Sequence, residues 1–155
     1  LRAMSPEDFA KAAEPYIRQS VKGDFDVAAI AALLQARCER LTDIPEKVDF
    51  FDACPEYDVE FFTNKKSKTN PEVCKAMLEA AIPMLAAPQW TDEAIHDGLI
   101  ALAEQLGVKN ATLMWPVRIA AAGKLVTPGG AVEICRILGR DETLRRLRAG
   151  LEKLA

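Results

Sequence analysis

Apolar residues in this chain recur at intervals of three and four almost from end to end, and the runs are cut by residues that start or stop helices. That period puts one apolar stripe on each helix and leaves no segment that reads as a strand. Ser5-Pro6-Glu7-Asp8 is a start signal: a capping hydroxyl, a proline suited to the first helical position, and two acids at the positive helix end. Phe9, Ala12, Ala13, Tyr16 and Ile17 form the stripe that follows, and Gly23 and Asp24 break it. Asp26 is placed to cap a second helix with the stripe Val27, Ile30, Leu34, Cys38 and Leu41. A shorter helix is expected near Pro45, carrying Val48 and Phe51.

Residues 54–70 are less regular, because Pro55, Tyr57, Asp58, Asn64 and Asn70 favour turns. A helix is expected from Asn70-Pro71 with Val73, Met77, Ala81 and Leu85 inward, kinked or ended by Pro83. Ala86-Ala87-Pro88-Gln89 reads as a connector. Thr91 caps the next helix, whose stripe of Ile95, Leu99, Leu102 and Leu106 stops at Gly107. Pro116 is expected to open a helix closed by Gly123, and Pro128 another closed by Gly139. Asp141 is expected to cap the last, where Leu144, Leu147, Leu151 and Leu154 recur. The expected fold class is all-α, as two packed helical subdomains, 1–87 and 88–155, joined near Pro88. A chain of 155 residues that is 50% hydrophobic can bury such a core.

Several function classes fall away. No run approaches the roughly 18 apolar residues of a membrane span, and no charged-then-apolar leader is expected. The formal net charge is −3, so bulk charge does not hold this chain to nucleic acid, and any such site must be a local basic surface. Cys38, Cys54, Cys74 and Cys135 are dispersed and form no CxxC, which fits small core residues in a reducing cytosol rather than zinc ligands. His96, the one histidine, sits among Asp92, Glu93 and Asp97. There is no nucleophile–base pair, no HExxH and no phosphate-cradling loop. No catalytic residue, metal ligand or cofactor is therefore assigned to the chain.

Three groups remain. Lys65-Lys66-Ser67-Lys68-Thr69 resembles the KMSKS loop of class I aminoacyl-tRNA synthetases, but no parallel-sheet nucleotide domain precedes it. Lys65, Lys66 and Lys68 are either a solvated loop or a sequence-independent phosphate contact. Arg140, Arg145, Arg146 and Arg148 flank or ride the last helix. The inward leucines turn Arg145 and Arg148 outward, either as a solvated face or as a second phosphate-facing surface. Arg118 stands two residues after Pro116, among Val117, Ile119 and three alanines. An arginine there must snorkel, pair or point at a ligand. Thr127-Pro128-Gly129-Gly130 then offers a fixed turn with open backbone N–H groups, or simply a structural corner between helices.

Pro116-Val117-Arg118-Ile119-Ala120, Gly123, Thr127-Pro128 and Leu138-Gly139-Arg140-Asp141 resemble the C-terminal part of bacterial-type glutamyl-tRNA synthetases. Arg37 with Leu41 and Ile44-Pro45-Glu46-Lys47, Phe50-Phe51 with Tyr57-Asp58, and Trp90-Thr91 fit the same family. The resemblance is strong for 113–147, fair for 34–62 and weak for the first helix. It implies an all-helical cage gripping the anticodon loop of glutamate tRNA, in a cytosolic, monomeric protein with no membrane attachment. The catalytic part, with its HIGH and KMSKS motifs and its use of ATP and magnesium, is expected N-terminal to Leu1. By position, Arg37 matches the arginine that reads the third anticodon base, Arg118 an anticodon-contacting arginine, and Thr127 and Pro128 the contact turn. Gly130 stands at a further contact position where the family more often has leucine, and Ile100 where some members carry an anticodon-facing arginine. From a different class comes the alternative of a helical protein-interaction module with no RNA role.

Overall fold

The helix-start residues behave as their chemistry requires. The computed structural model describes residues 3–35, 37, 40–87 and 89–154. Ser5 Oγ accepts the Asp8 N–H at 3.2 Å and opens α1 (Pro6–Ser20). Asp26 Oδ1 accepts from the Ala29 N–H at 3.1 Å and opens α2 (Val27–Leu34). A 3₁₀ turn (Leu41–Asp43), α3 (Ile44–Val48) and a second 3₁₀ turn (Asp49–Phe51) follow. After a third 3₁₀ turn (Val59–Phe62), Asn70 caps α4 (Pro71–Leu85). Thr91 caps α5 (Asp92–Leu106), which left-handed Gly107 closes. Then come α6 (Asn110–Ala122), α7 (Ala131–Leu138) and α8 (Arg140–Leu154). Among the described residues the only extended pairing is an isolated bridge between Asn64 and Thr69, so the class is all-α. No described helix is long and apolar enough to cross a membrane.

Five boundaries differ from expectation. The second helix stops at Leu34, because the Arg37 N–H folds back on the Leu34 carbonyl at 2.9 Å. Leu41 therefore belongs to the next turn, and Cys38 lies outside the described residues. Pro83 does not end α4 where it stands; the helix passes it by two residues, and the Ala86 N–H donates to the Pro83 carbonyl at 3.3 Å. Pro116 lies inside α6 rather than at its start. An interior proline removes one helix bond and costs about 3 kcal/mol. Here two anchors in the turn before the proline hold the helix: Thr112 Oγ1 donates to Ser67 O at 2.6 Å, and the Trp115 indole N–H to Phe61 O at 2.9 Å. Pro128 precedes α7 without opening it, since the helix begins at Ala131 with Gly130 as its cap. Asp141 sits in the first turn of α8, whose Thr143 N–H bonds Gly139 O at 3.0 Å.

α1, α2 and α3 enclose fully buried Phe9, Ile17, Ile30, Leu34, Ile44 and Val48. α4 packs on α5, α6 and α8, and α7 closes on α6. The junction residue Pro88 lies outside the described residues; the helices on either side of it, α4 and α5, pack on each other. A buried tie between the first group and the second is Arg146, only 2% exposed. Its Nη1 donates to Phe50 O at 2.8 Å and Ala121 O at 2.7 Å, and its Nη2 to Phe51 O at 3.1 Å.

Glu142 completes this knot. Its carboxylate takes two bonds from Arg145, both 2.7 Å, and one from Arg146 Nε at 2.8 Å. The Arg145 hydrogen bonds chiefly, helped by Arg146 and opposed by partial burial, hold its pKa at about 2 instead of 4.5. A depressed carboxylate stabilises the fold fully above its unfolded pKa and loses that effect as pH falls through the folded value. Melting temperatures of the wild type and Glu142→Gln should thus differ at neutral pH and converge as pH drops from about 4.5 towards about 2. A gap that stays constant over that window would show that the carboxylate charge is not what matters.

Candidate functional site

Gly123 ends α6 in the left-handed region (φ 66°), and an added Cβ there would meet Pro55 O at 2.9 Å. The chain that leaves it, Lys124 to Gly130, is held from three sides. Lys124 Nζ donates to Glu46 O at 2.6 Å and to the Asp49 carboxylate, which pins the loop to α3 and the turn after it. The Arg118 guanidinium holds it from behind: Nη1 reaches Thr127 Oγ1 at 3.0 Å and Lys124 O at 3.4 Å, and Nη2 reaches Leu125 O at 2.9 Å. Arg118 also lies over the Trp115 ring at 4.7 Å, and its partial burial pulls its pKa down from the ordinary value. The third hold is at Gly129 (φ 104°), which comes so close to the end of α2 that a Cβ would sit 3.0 Å from Leu33 Cδ2.

That last approach brings the turn beside Arg37. Exposed Arg37 donates from Nη1 to Leu33 O at 3.1 Å, which takes one of its five N–H donors. Arg37, Lys47 and Lys124 line a groove of about 450 Å³ together with Glu46, Val126, Thr127 and Pro128. Three cations and one carboxylate therefore line this groove, with the Asp49 carboxylate paired to Lys124 beside it, which leaves a local positive excess in a chain of net charge −3. Here is the local basic surface that bulk charge could not supply.

The other sequence-derived candidates lie elsewhere. Arg118 stands in the C-terminal half of α6, not in a first turn, and three of its five N–H donors are engaged by the loop. Gly130 faces a separate cleft of about 590 Å³ lined by Asp92, Glu93, Asp97, Glu133 and His96, with Ile100 in its wall. Its N–H is not open to a ligand, because Glu133 Oε2 accepts it at 2.7 Å. The acid three residues on supplies from within the negative charge that a helix start attracts. Lys65, Lys66 and Lys68 are exposed on a turn packed against the first turn of α6 through Thr112 and Ser67. Thirteen helical residues separate that end from the groove, a distance of about 18 Å at 1.5 Å per residue. Arg145 and Arg148 are exposed on α8, and Arg145 is engaged by Glu142 beside a third cavity that also holds Cys54 and Lys153. Cys74 and Cys135 are buried, and burial pushes both thiols up to about 12, which makes them inert core residues. No cluster among the described residues could hold a metal ion.

Sequence reasoning gave no role to Glu46, Lys47, Lys124 or Val126. Glu46 and Lys47 stood within a segment already singled out. Lys124 and Val126 carried one available signal, their position between a glycine helix stop and the Thr-Pro turn.

Comparison with known proteins follows the same outline. The family described as anticodon binding domain matches residues 8–151. The chain is 47% identical over 155 residues to the glutamate–tRNA ligase of Clostridium tetani, a match covering 99% of this chain and 32% of that protein. It is 42% identical over 156 residues to the glutamate–tRNA ligase of Clostridium acetobutylicum, with the same coverage of 99% and 32%. The chain thus spans about a third of the length of these relatives. A solved glutamate tRNA ligase from Elizabethkingia meningosepticum, in complex with its amino acid, superposes with a TM-score of 0.78 at 23% identity, over 98% of this chain and 30% of that one. At that identity the likeness speaks for the fold alone.

Proposed function

This chain belongs to the anticodon binding domain family, and from that premise we propose that it grips the anticodon loop of glutamate tRNA. It would do so as part of a cytosolic, monomeric glutamate–tRNA ligase. The longer protein attaches glutamate to its tRNA at the expense of ATP, with magnesium. Both belong to parts of the enzyme outside this chain, which acts by binding alone.

The observation that carries this reading is the groove. Arg37, Lys47 and Lys124 converge there with the Thr127-Pro128 turn, although Arg37 and Thr127 are ninety residues apart in sequence. Single-stranded RNA loops are recognised where unstacked bases meet hydrogen-bonding side chains beside cations for the backbone. Arg37 suits a base edge, because its fork can make two parallel bonds. Arg118 contributes through the turn it holds, as a positioning residue. Lys65, Lys66 and Lys68, with Arg145 and Arg148, are assigned to outlying phosphates. The acidic cleft beside Gly130 repels a polyanion, so the RNA enters on the Arg37 side.

Titrating the chain with labelled glutamate tRNA at two salt concentrations tests this. Binding should be present at low salt and weaken steeply as salt rises, because each neutralised phosphate releases counterions. No binding at low salt would sink the reading and favour a helical protein-interaction module.

A further inference from the structure

Val126 is 84% exposed, whereas the other exposed large hydrophobics among the described residues reach 37% at Val59, 39% at Leu106 and 48% at Leu125. Singly exposed apolar side chains are normal on a protein surface, and on a loose loop this one would need no explanation. This one is not on a loose loop. The residues on either side of it are gripped by one guanidinium, Leu125 through its carbonyl at 2.9 Å and Thr127 through its hydroxyl at 3.0 Å. That guanidinium lies on Trp115, whose indole is tied to Phe61 O at 2.9 Å. Thr127 Oγ1 in turn donates to Gly129 O at 2.8 Å. Lys124, two residues before Val126, is bound to Glu46 and Asp49. The backbone on both sides of Val126 is therefore fixed while its side chain projects into water at the edge of the cationic groove.

We infer that Val126 is a preorganised apolar contact for the face of one unstacked nucleobase held in the groove; this rests on the RNA-binding reading above. Ordering a loop on binding weakens affinity, and here the ordering is already done by Arg118 and Lys124. Charge complementarity selects the occupant, since Arg37 and Lys47, the groove cations that Asp49 does not neutralise, suit the phosphates flanking a base and do not suit an apolar peptide. The position also supplies what Gly130 does not: that residue has no side chain and faces the acidic cleft. An apolar wall for a base is thereby displaced four residues along the chain, to the groove side of the same turn.

The test uses Val126→Ser in the 155-residue chain and anticodon stem-loop RNAs of glutamate tRNA, intact or with one abasic nucleotide at each anticodon position. The melting temperature should not move, because the side chain makes almost no contacts within the fold. The Kd for intact RNA should rise about tenfold, the loss of one buried valine. Its salt dependence should be unchanged, since no phosphate contact is touched. On one of the three abasic RNAs the wild type and Val126→Ser should bind equally well. Equal binding of intact RNA by both, while Arg37→Gln weakens it, would overturn the inference and leave the RNA-binding reading standing. A loss that persists on all three abasic RNAs would also overturn it. Failure of the wild type to bind any of these RNAs at low salt would overturn both.

Discussion

Replacing Arg146 by alanine should unfold this chain more readily than any other single change on its arginine-rich last helix. The guanidinium is buried and donates to three main-chain carbonyls, those of Phe50, Phe51 and Ala121. Phe50 and Phe51 end a 3₁₀ turn, and Ala121 lies in the last turn of α6. The final carbonyls of any helix lack an internal partner, so Arg146 serves as a shared side-chain cap for two elements. Alanine would leave these acceptors dry and open a cavity the length of an arginine. Breaking a buried charged hydrogen-bonding set costs about 3–5 kcal/mol, which for a chain of this size lowers the melting temperature by roughly 10 °C. Lysine should recover only part of the loss. Its ammonium carries the charge but is a compact group that cannot span three acceptors as a planar fork does. Denaturant unfolding of the wild type, Arg146→Ala and Arg146→Lys measures this, with Arg148→Ala as the exposed control. A loss under about 1 kcal/mol at Arg146 would mean the carbonyls find water.

Arg145 and Arg146 also mark what a sequence can and cannot say. Both lie in one arginine-rich run, yet one is exposed and the other is among the largest buried side chains. The period did hold the information, since Arg146 is three residues from Thr143 and four from Gly150, both buried. Reading only leucines as inward hid it. Helix starts were legible because capping is local: Ser5, Asp26, Asn70 and Thr91 each accept an N–H three residues on. The interior prolines were not, because tolerance of Pro116 depends on Ser67 and Phe61, far off in sequence. That misplaced start put Arg118 in a first turn. Its real place, near the C-terminal end of α6, is what lets it reach the carbonyls of the chain leaving that helix. Of the groove, Arg37, Thr127 and Pro128 could be named from family resemblance. Their meeting could not, because it depends on Gly129, at a φ of 104° that side chains rarely adopt, approaching Leu33 so closely that a Cβ would crowd it.

The groove's geometry also sets the largest expected effect on recognition, at Arg37. We expect Arg37→Gln to reduce the preference for a CUC anticodon over CUG, the two differing only in the third base. The native side chain is exposed, spends one donor on Leu33 O, and keeps the rest of its fork for a ligand. A bidentate contact to a base edge is worth about 1–3 kcal/mol in the better-studied DNA case, so the ratio of affinities for the two RNAs should fall by about tenfold or more. Glutamine keeps a planar polar group but loses the charge and the fork. The measurement is a pair of titrations on each protein, with stem-loops differing only at that base. Binding to both RNAs should weaken somewhat through the lost cation, and the salt dependence should become shallower if Arg37 also neutralises a phosphate. The change in ratio is what separates base reading from simple attraction. A solvated cation at the groove edge would lower both affinities equally and leave the ratio where it was. Because Arg37 is exposed and anchored through a single bond, the substitution should leave the melting temperature within about 0.5 kcal/mol equivalent of the wild type. A shifted ratio could then be charged to the contact and not to a loosened α2.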